Sequence, residues 1–349
     1  MTSRDFLSGL IAPVVIIATS LSYSALIFSG PLAGELPVGI GSGLVGAGLG
    51  AIIFAASSGL PFAIAAPDSK AVAVLASLAA LLARDLAREG RAEQIGPTVL
   101  AALVVGSLIV GVSSWLFGVL RLGRWIRFLP FPVIGGFMAA SGWFLAIGAV
   151  RILTRQPISL GLLSDLVAGR HLAQLIVGAA FALALARAQR FRHALAFPAV
   201  LLVSAAAILI GLQAAGFSWT QARAEGWLLD LPATGSASLP ALWLHEFRAG
   251  IDAREILKYS GEYIALITVT IATLLLSIMA IEVETRAEVD LDYELKVNGA
   301  ANVVAGLGGG VVGTLSVSRT LFGYQSGARS RAGGLLAGLL CLLPLVFGP

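Results

Sequence analysis

Two short stretches of an otherwise apolar chain carry residues able to hold an ion. One is 58–70, Ser-Gly-Leu-Pro-Phe-Ala-Ile-Ala-Ala-Pro-Asp-Ser-Lys; the other is 308–320, Gly-Gly-Gly-Val-Val-Gly-Thr-Leu-Ser-Val-Ser-Arg-Thr. Each places an extended-looking piece, broken by Gly or Pro, ahead of a short helix-like run, 71–83 in the first and 321–328 in the second. Asp68 or Ser69 can cap one helix and Ser316 or Ser318 the other, because short oxygen-bearing side chains accept the N–H groups left free where a helix starts. Those free N–H groups and the positive end of the helix dipole make such a start a place for an anion. Arg319 adds a permanent charge and a planar fork of donors suited to an oxyanion. A competing arrangement pairs Arg319 with Asp68 as a brace between two halves. Lys70 either faces the same cavity or bends onto Asp68. Asp68 caps its helix and balances Lys70, or else holds a coupling ion.

The rest of the chain sets the solvent in which that chemistry would occur. Of 349 residues, 58% are hydrophobic and 12% charged, with a mean hydropathy of +0.92. A soluble domain carries about 25% charged residues, so the chain reads as an integral membrane protein surrounded by lipid. The 41 glycines suit closely packed transmembrane helices. A charge at membrane depth costs roughly 2.5–3.5 kcal/mol on the insertion scale and therefore needs a function. The basic residues are scattered through short loops, which speaks against nucleic acid as a partner. Cys341 has no second cysteine to bridge to, and His171, His193 and His245 lack metal-ligand spacing. No nucleophile–base pair is found at depth, so the sequence reads as no enzyme, with no cofactor and no metal. Both 41–46 and 308–313 satisfy G-x-G-x-x-G, yet neither lies in a βαβ unit, and a dinucleotide site is discarded. The run Gly39, Gly43, Gly46, Gly50 reads as small-residue helix packing.

Uncharged runs of bilayer-crossing length predict spans at 10–28, 36–56, 97–120, 128–150, 194–215, 263–281 and 332–348, with a shorter one at 172–186. The two ion-bearing stretches, 57–83 and 297–328, bring the count to about eleven segments. At about 1.5 Å per residue, 69–83 reaches about 22 Å and 318–328 about 16 Å. Neither crosses a core of about 30 Å, so each is expected to begin inside the membrane. Paired, interrupted segments at corresponding positions point to an inverted-repeat transporter. The arginine clusters 121/124/127, 187/190/192 and 329/331 alternate with the spans in a way that puts the N-terminus in the cytoplasm. An amphipathic interfacial helix is expected over 245–258.

Phe128-Leu-Pro-Phe-Pro-Val-Ile-Gly-Gly-Phe137 with Gly142 resembles the F-x-P-x-P-V-I-x-G-F signature of the SulP anion transporters. Asp292-Tyr-Glu-Leu295, Gly299-Ala-Ala-Asn302 and Ser316-Val-Ser-Arg-Thr320 resemble that family's N-x-E-L…G-x-x-N…S-x-S-R-[ST] string. The resemblance implies an all-α membrane protein of two inverted repeats of seven segments, with two half-helices preceded by short strands. It divides the chain into a first core half (1–120), a first gate half (121–215), a polar connection with the amphipathic helix (216–258) and a second core half (259–349). Measured against that template, the second repeat stops after about four segments, and the last spans and a STAS domain are expected to be missing.

The same resemblance implies elevator-like secondary transport of a small anion of the sulfate, bicarbonate or dicarboxylate class. It further implies a proton or sodium as coupling ion, a homodimer formed through the gate, and a bacterial inner membrane as location. Ser316, Ser318 and Arg319 match the anion-contacting segment. Thr19 stands where many relatives have glutamine, and Tyr23 remains as a cavity-lining aromatic. Thr273 occupies the place of a mid-span glutamate, with Thr270 and Ser277 at helical spacing. Thr19, Tyr23, Ser69, Thr273, Ser316, Ser318 and Arg319 form the expected substrate contacts, and Asp68 and Lys70 the coupling or charge-balancing pair. Two alternatives keep the membrane setting: a nucleobase permease of the same fold, and a non-transporting anion sensor or scaffold.

Overall fold

The computed structural model describes residues 3–124, scattered positions from 132 to 150, and 171–188, 196–228 and 251–347. These belong to two compact units, Met1–Gly142 with Thr234–Pro349 and Trp143–Ala233. The first unit carries the ion-bearing stretches. Its helices are α1 (Ser3–Ile27), α2 (Leu36–Ser57), α3 (Ser69–Arg88) and α4 (Ile95–Val119). Four helical stretches among the described residues are long and apolar enough to cross a membrane: Ser8–Ile27, Gly30–Ser57, Ala92–Val119 and Ser260–Thr285. The second unit contributes α5 (Leu172–Ala188), α6 (Ala196–Ala214) and the short α7 (Trp219–Ala224). Ser218 and Gln221 start α7 with a reciprocal capping box. The first unit then resumes with α8 (Ala253–Lys258), α9 (Ser260–Thr285), α10 (Leu291–Leu307), α11 (Val317–Gln325) and α12 (Ala332–Phe347).

Every apolar run expected to span is helical over its described part. Much of the expected span at 128–150 and most of the signature at 128–137 lie outside the described residues. Two boundaries differ from expectation. α3 continues to Arg88 and is 20 residues long, about 30 Å of helix; the end of the uncharged run is not the end of the helix. Arg84, Asp85 and Arg88 extend the segment because Leu, Ala and Arg are good helix formers whatever their polarity. Of the two segments expected to begin inside the membrane, α11, with nine residues, about 14 Å, is the one too short to cross. At the other boundary, α10 begins at Leu291 because the Asp290 carboxylate accepts from the N–H groups of Asp292 and Tyr293.

Before α3 and α11 the chain is extended: β1 is Ala65–Pro67 and β2 is Gly313–Leu315. They pair antiparallel, with Ala65 opposite Leu315, Ala66 opposite Thr314 and Pro67 opposite Gly313. The helices α3 and α11 therefore leave this ribbon from opposite ends. Around it, α2 packs against α1, α10 and α12, α10 packs along α4, and α9 lies against α3, α4, β2 and α11. One core joins Phe54, Leu60 and Phe62 to Ile271, Leu274, Ile278, Leu295 and Leu315. A second joins Ala12, Ile16, Ala47, Ile64, Ala66 and Cys341.

A polar cluster closes the far end of α3. Lys258 Nζ lies 2.6 Å from Asp85 Oδ2 and 3.2 Å from Glu255 Oε2, and the Tyr259 hydroxyl donates to Asp85 at 2.6 Å. Arg91 pairs with Glu89 at 2.9 Å and with Asp252. Asp252 also caps α8, accepting from the N–H groups of Arg254 and Glu255. The described part of the interfacial helix thus begins at Ala253; residues 245–250 lie outside the described set.

Candidate ion-binding site

The two helix starts are held in place by backbone polar groups that a lipid interior would otherwise leave unsatisfied. Ile64 accepts from the Ser316 N–H at 3.0 Å, and its own N–H donates to Thr320 Oγ1 at 3.1 Å. Asn302 on α10 grips Gly313 twice: its Oδ1 accepts from the Gly313 N–H and its Nδ2 donates to the Gly313 carbonyl, both at 2.9 Å. The glycine loop before β2 rests on α2 and α4. There Ser42 donates to the Gly309 carbonyl at 2.6 Å and Ser107 to that of Gly310 at 2.9 Å. The loop backbone comes so close that a Cβ on Gly46 would lie 2.4 Å from the Val311 carbonyl oxygen.

Arg319 sits in the first turn of α11. Its Nη1 donates to Ser316 Oγ and its Nη2 to Thr19 Oγ1, each at 3.0 Å. No ion pair joins it to Asp68, so the brace arrangement is not formed. Thr19 passes its own hydroxyl proton back into α1, lying 2.8 Å from the Val15 carbonyl and 3.0 Å from that of Ile16. This leaves its lone pairs for the guanidinium, so Thr19 holds Arg319 in place. Ser316 occupies the cap position of α11 without making a capping bond; its oxygen goes to the guanidinium instead. Arg319 Nε is buried and has no hydrogen-bond partner.

At the other helix start, Asp68 caps α3 by accepting from the Lys70 N–H at 3.4 Å. Lys70 does bend towards it, with Nζ 3.5 Å from Oδ1. Asp68 is 7% exposed, and its second oxygen, Oδ2, is buried without a partner. Tyr23, one turn after Thr19 on α1, faces the Ser69 side chain and lies within electrostatic reach of both Arg319 and Asp68. The structure thus gathers Thr19, Tyr23, Asp68, Ser69, Lys70, Ser316 and Arg319 around the ribbon. Ser318 is exposed on the first turn of α11. Thr273 is buried on α9, outside the hydrogen-bond network of the guanidinium, and its neighbour Thr270 donates to the Leu266 carbonyl.

Sequence reasoning assigned no role to Asn302, Thr320, Ser42 or Ser107, although Asn302 and Thr320 stand in the quoted motif string. Glu294 is a similar case. This fully buried carboxylate accepts from Ser58 Oγ at 3.0 Å and from the Gly59 N–H at 2.6 Å, tying the start of α10 to the loop that leads into β1. A buried polar residue inside a motif was the signal that could have found them.

A model of the sulfate permease family matches residues 3–349. The chain belongs to that family. Its members are membrane-embedded anion transporters, and the match accounts for the motif strings around Phe128 and Arg319. Among curated relatives, the vacuolar basic amino acid transporter VSB1 of Saccharomyces cerevisiae is 24% identical over 77% of this chain and 26% of its own length. The bicarbonate transporter BicA of Picosynechococcus is 26% identical over 98% of this chain and 57% of its own length. The chain therefore spans well under two thirds of either relative. Among solved structures, the transmembrane domain of a cyanobacterial BicA superposes with a TM-score of 0.69 at 22% identity, covering 99% of this chain and 81% of that one. SLC26A9 gives 0.69 at 15% identity, covering 98% of this chain and 53% of that one. Both show the same fold.

Proposed function

We propose that the chain is the membrane part of a secondary transporter that binds a small anion between the starts of α3 and α11. The observation that carries this reading is Arg319: a guanidinium held by Thr19 and Ser316, with its Nε–H buried and unpaired, at the first turn of a helix too short to cross the bilayer. A free donor on a permanent cation beside two helix starts has the chemistry to replace the hydration shell of an oxyanion. The anion class is bicarbonate, sulfate or a dicarboxylate. The core halves, 1–120 and 259–349, carry the site past the gate half at 121–215, the movement expected of an inverted-repeat elevator, with homodimer contacts made through the gate.

Uptake of labelled bicarbonate, sulfate and fumarate into proteoliposomes, with and without proton and sodium gradients, tests the proposal. Arg319→Ala is expected to lower uptake at least a hundredfold while the protein remains folded and inserted. Undiminished uptake by that variant would overturn it. A nucleobase as substrate is less well supported, because such permeases use carboxylates where this chain has Thr273 and Arg319.

A further inference from the structure

The two helix starts differ in how their charges are balanced, and this bears on which anion is accepted. We propose that the Asp68–Lys70 pair sets the valence of the substrate. With that pair balanced, Arg319 carries the one uncompensated charge, and the site selects a monovalent oxyanion over a divalent one. The inference rests on the anion-site reading above and narrows it.

Three observations lead there. First, Lys70 Nζ lies 3.5 Å from Asp68 Oδ1, and the same carboxylate accepts from the Lys70 N–H at 3.4 Å. The start of α3 is thus a closed unit of zero net charge, with its helix end capped by a carboxylate. Second, Arg319 has no such partner. Its guanidinium meets the hydroxyls of Ser316 and Thr19 and enters no ion pair among the described residues. Ser316 makes no capping bond, so the dipole of α11 is left to orient an anion, although a dipole adds no net charge. In whole charges the empty site carries +1. A monovalent oxyanion brings it to zero, whereas a divalent one leaves an excess negative charge in surroundings of low dielectric. Third, the ribbon bounds how far apart the two units are. The Ser316 N–H bonds to the Ile64 carbonyl, and Asp68 lies four residues further on, at most about 14 Å of extended chain. Neither member of the pair need touch the anion, because unit charges at that range still change an affinity several-fold through protein. Asp68 and Lys70 stand at one place with opposite signs. Removing one or the other therefore shifts the potential at Arg319 in opposite directions, and a divalent anion feels each shift twice.

The test is the ratio of affinities for bicarbonate and sulfate, which cancels size and shape when it is compared between variants. Competition of the two anions for the purified full chain in lipid nanodiscs gives it at neutral pH and fixed ionic strength, even for a variant that no longer transports. The wild type is expected to bind bicarbonate about tenfold or more tightly than sulfate. Asp68→Asn keeps a good helix cap and leaves a second free cation, so the ratio should move several-fold towards sulfate. Asp68→Ser, another neutral cap, should do the same. Lys70→Gln leaves the carboxylate unopposed and should move the ratio several-fold the other way, with both anions weakened. Asp68→Asn combined with Lys70→Gln removes both charges and should return the ratio to that of the wild type, with thermal melts confirming folding. Three results would each overturn the proposal: a wild type that prefers sulfate, a ratio unmoved by the single variants, or one that moves the same way in Asp68→Asn and Lys70→Gln. A failure of the double variant to restore the ratio would mark damage to the fold and overturn it too. Bicarbonate uptake that persists in Arg319→Ala would instead sink the underlying site, so the two failures are separable.

Discussion

Thr19 shows how much depends on a single hydroxyl. Its proton is committed to the α1 backbone and its lone pairs to Arg319, so the guanidinium is aimed before any ligand arrives. Thr19→Val keeps the side-chain shape and removes that acceptor. We expect the KM for anion uptake to rise several-fold with a smaller change in maximal rate, and Thr19→Ser to restore it; kinetics on the three proteins check this. Asn302 acts on the fold instead. Replacing it by Leu leaves the Gly313 N–H and carbonyl without partners, a loss of about 1–3 kcal/mol for buried polar groups. The melting temperature should fall accordingly, and the melt should lose cooperativity if the ribbon opens first. That Arg319 would need polar partners was legible from its type alone, since a guanidinium in an apolar chain needs a reason. That Thr19 would serve it was not, because nothing in the order of residues brings position 19 next to position 319.

Helix-scale features were legible to different degrees, and the differences have physical causes. Apolar length located the long helices within a few residues, since a bilayer imposes that length. The ends of α3 and the start of α10 were misplaced because charge marks where lipid stops, whereas capping and helix propensity decide where a helix stops. The reading of the glycine run on α2 as close packing holds for Gly39, Gly43 and Gly46 and not for Gly50, and it came without their partners. A Cβ on Gly39 would meet the Phe28 ring, one on Gly43 the Ser24 hydroxyl and one on Gly46 the Val311 backbone, while Gly50 faces open space. Spacing reveals which face is bare and is silent on what fills it. A paired substitution tests this. Gly46→Ala should destabilise by about 1–3 kcal/mol, as an overpacked contact does. Gly50→Ala should be neutral or stabilising by up to about 1 kcal/mol, from the gain in helix propensity. Thermal or denaturant melts of both variants give the comparison.

For the molecule as a whole, the polar cluster beyond α3 joins that helix to α8 and has a calculable pH range. Lys258, and after it Tyr259, hold the Asp85 carboxyl below its usual 3.8. Its contribution is therefore present above pH 3.8 and lost as pH falls through the lower, folded value. Asp85, and after it Glu255, raise the Lys258 ammonium above 10.5. Burial, then Asp85, pushes the Tyr259 phenol up to about 12. Those two contributions are complete below pH 10 and fade as pH rises through the folded values. Lys258→Gln should make the amides of α8 exchange several-fold faster at neutral pH. The gap should close below pH 3.8 and in 1 M salt, where exposed pairs are screened; exchange measured by mass spectrometry across that range checks it. The ribbon of β1 and β2 has another kind of consequence. Ile64 and Thr320, which bond across it, are 256 positions apart, so the ribbon can close only after both of them have been synthesised. Until then the start of α3, with its buried Asp68, lacks the strand that pairs with β1. Joining of the two helix starts is thus a late event in biogenesis, and a break anywhere upstream of Leu315 leaves the first of them without its partner strand.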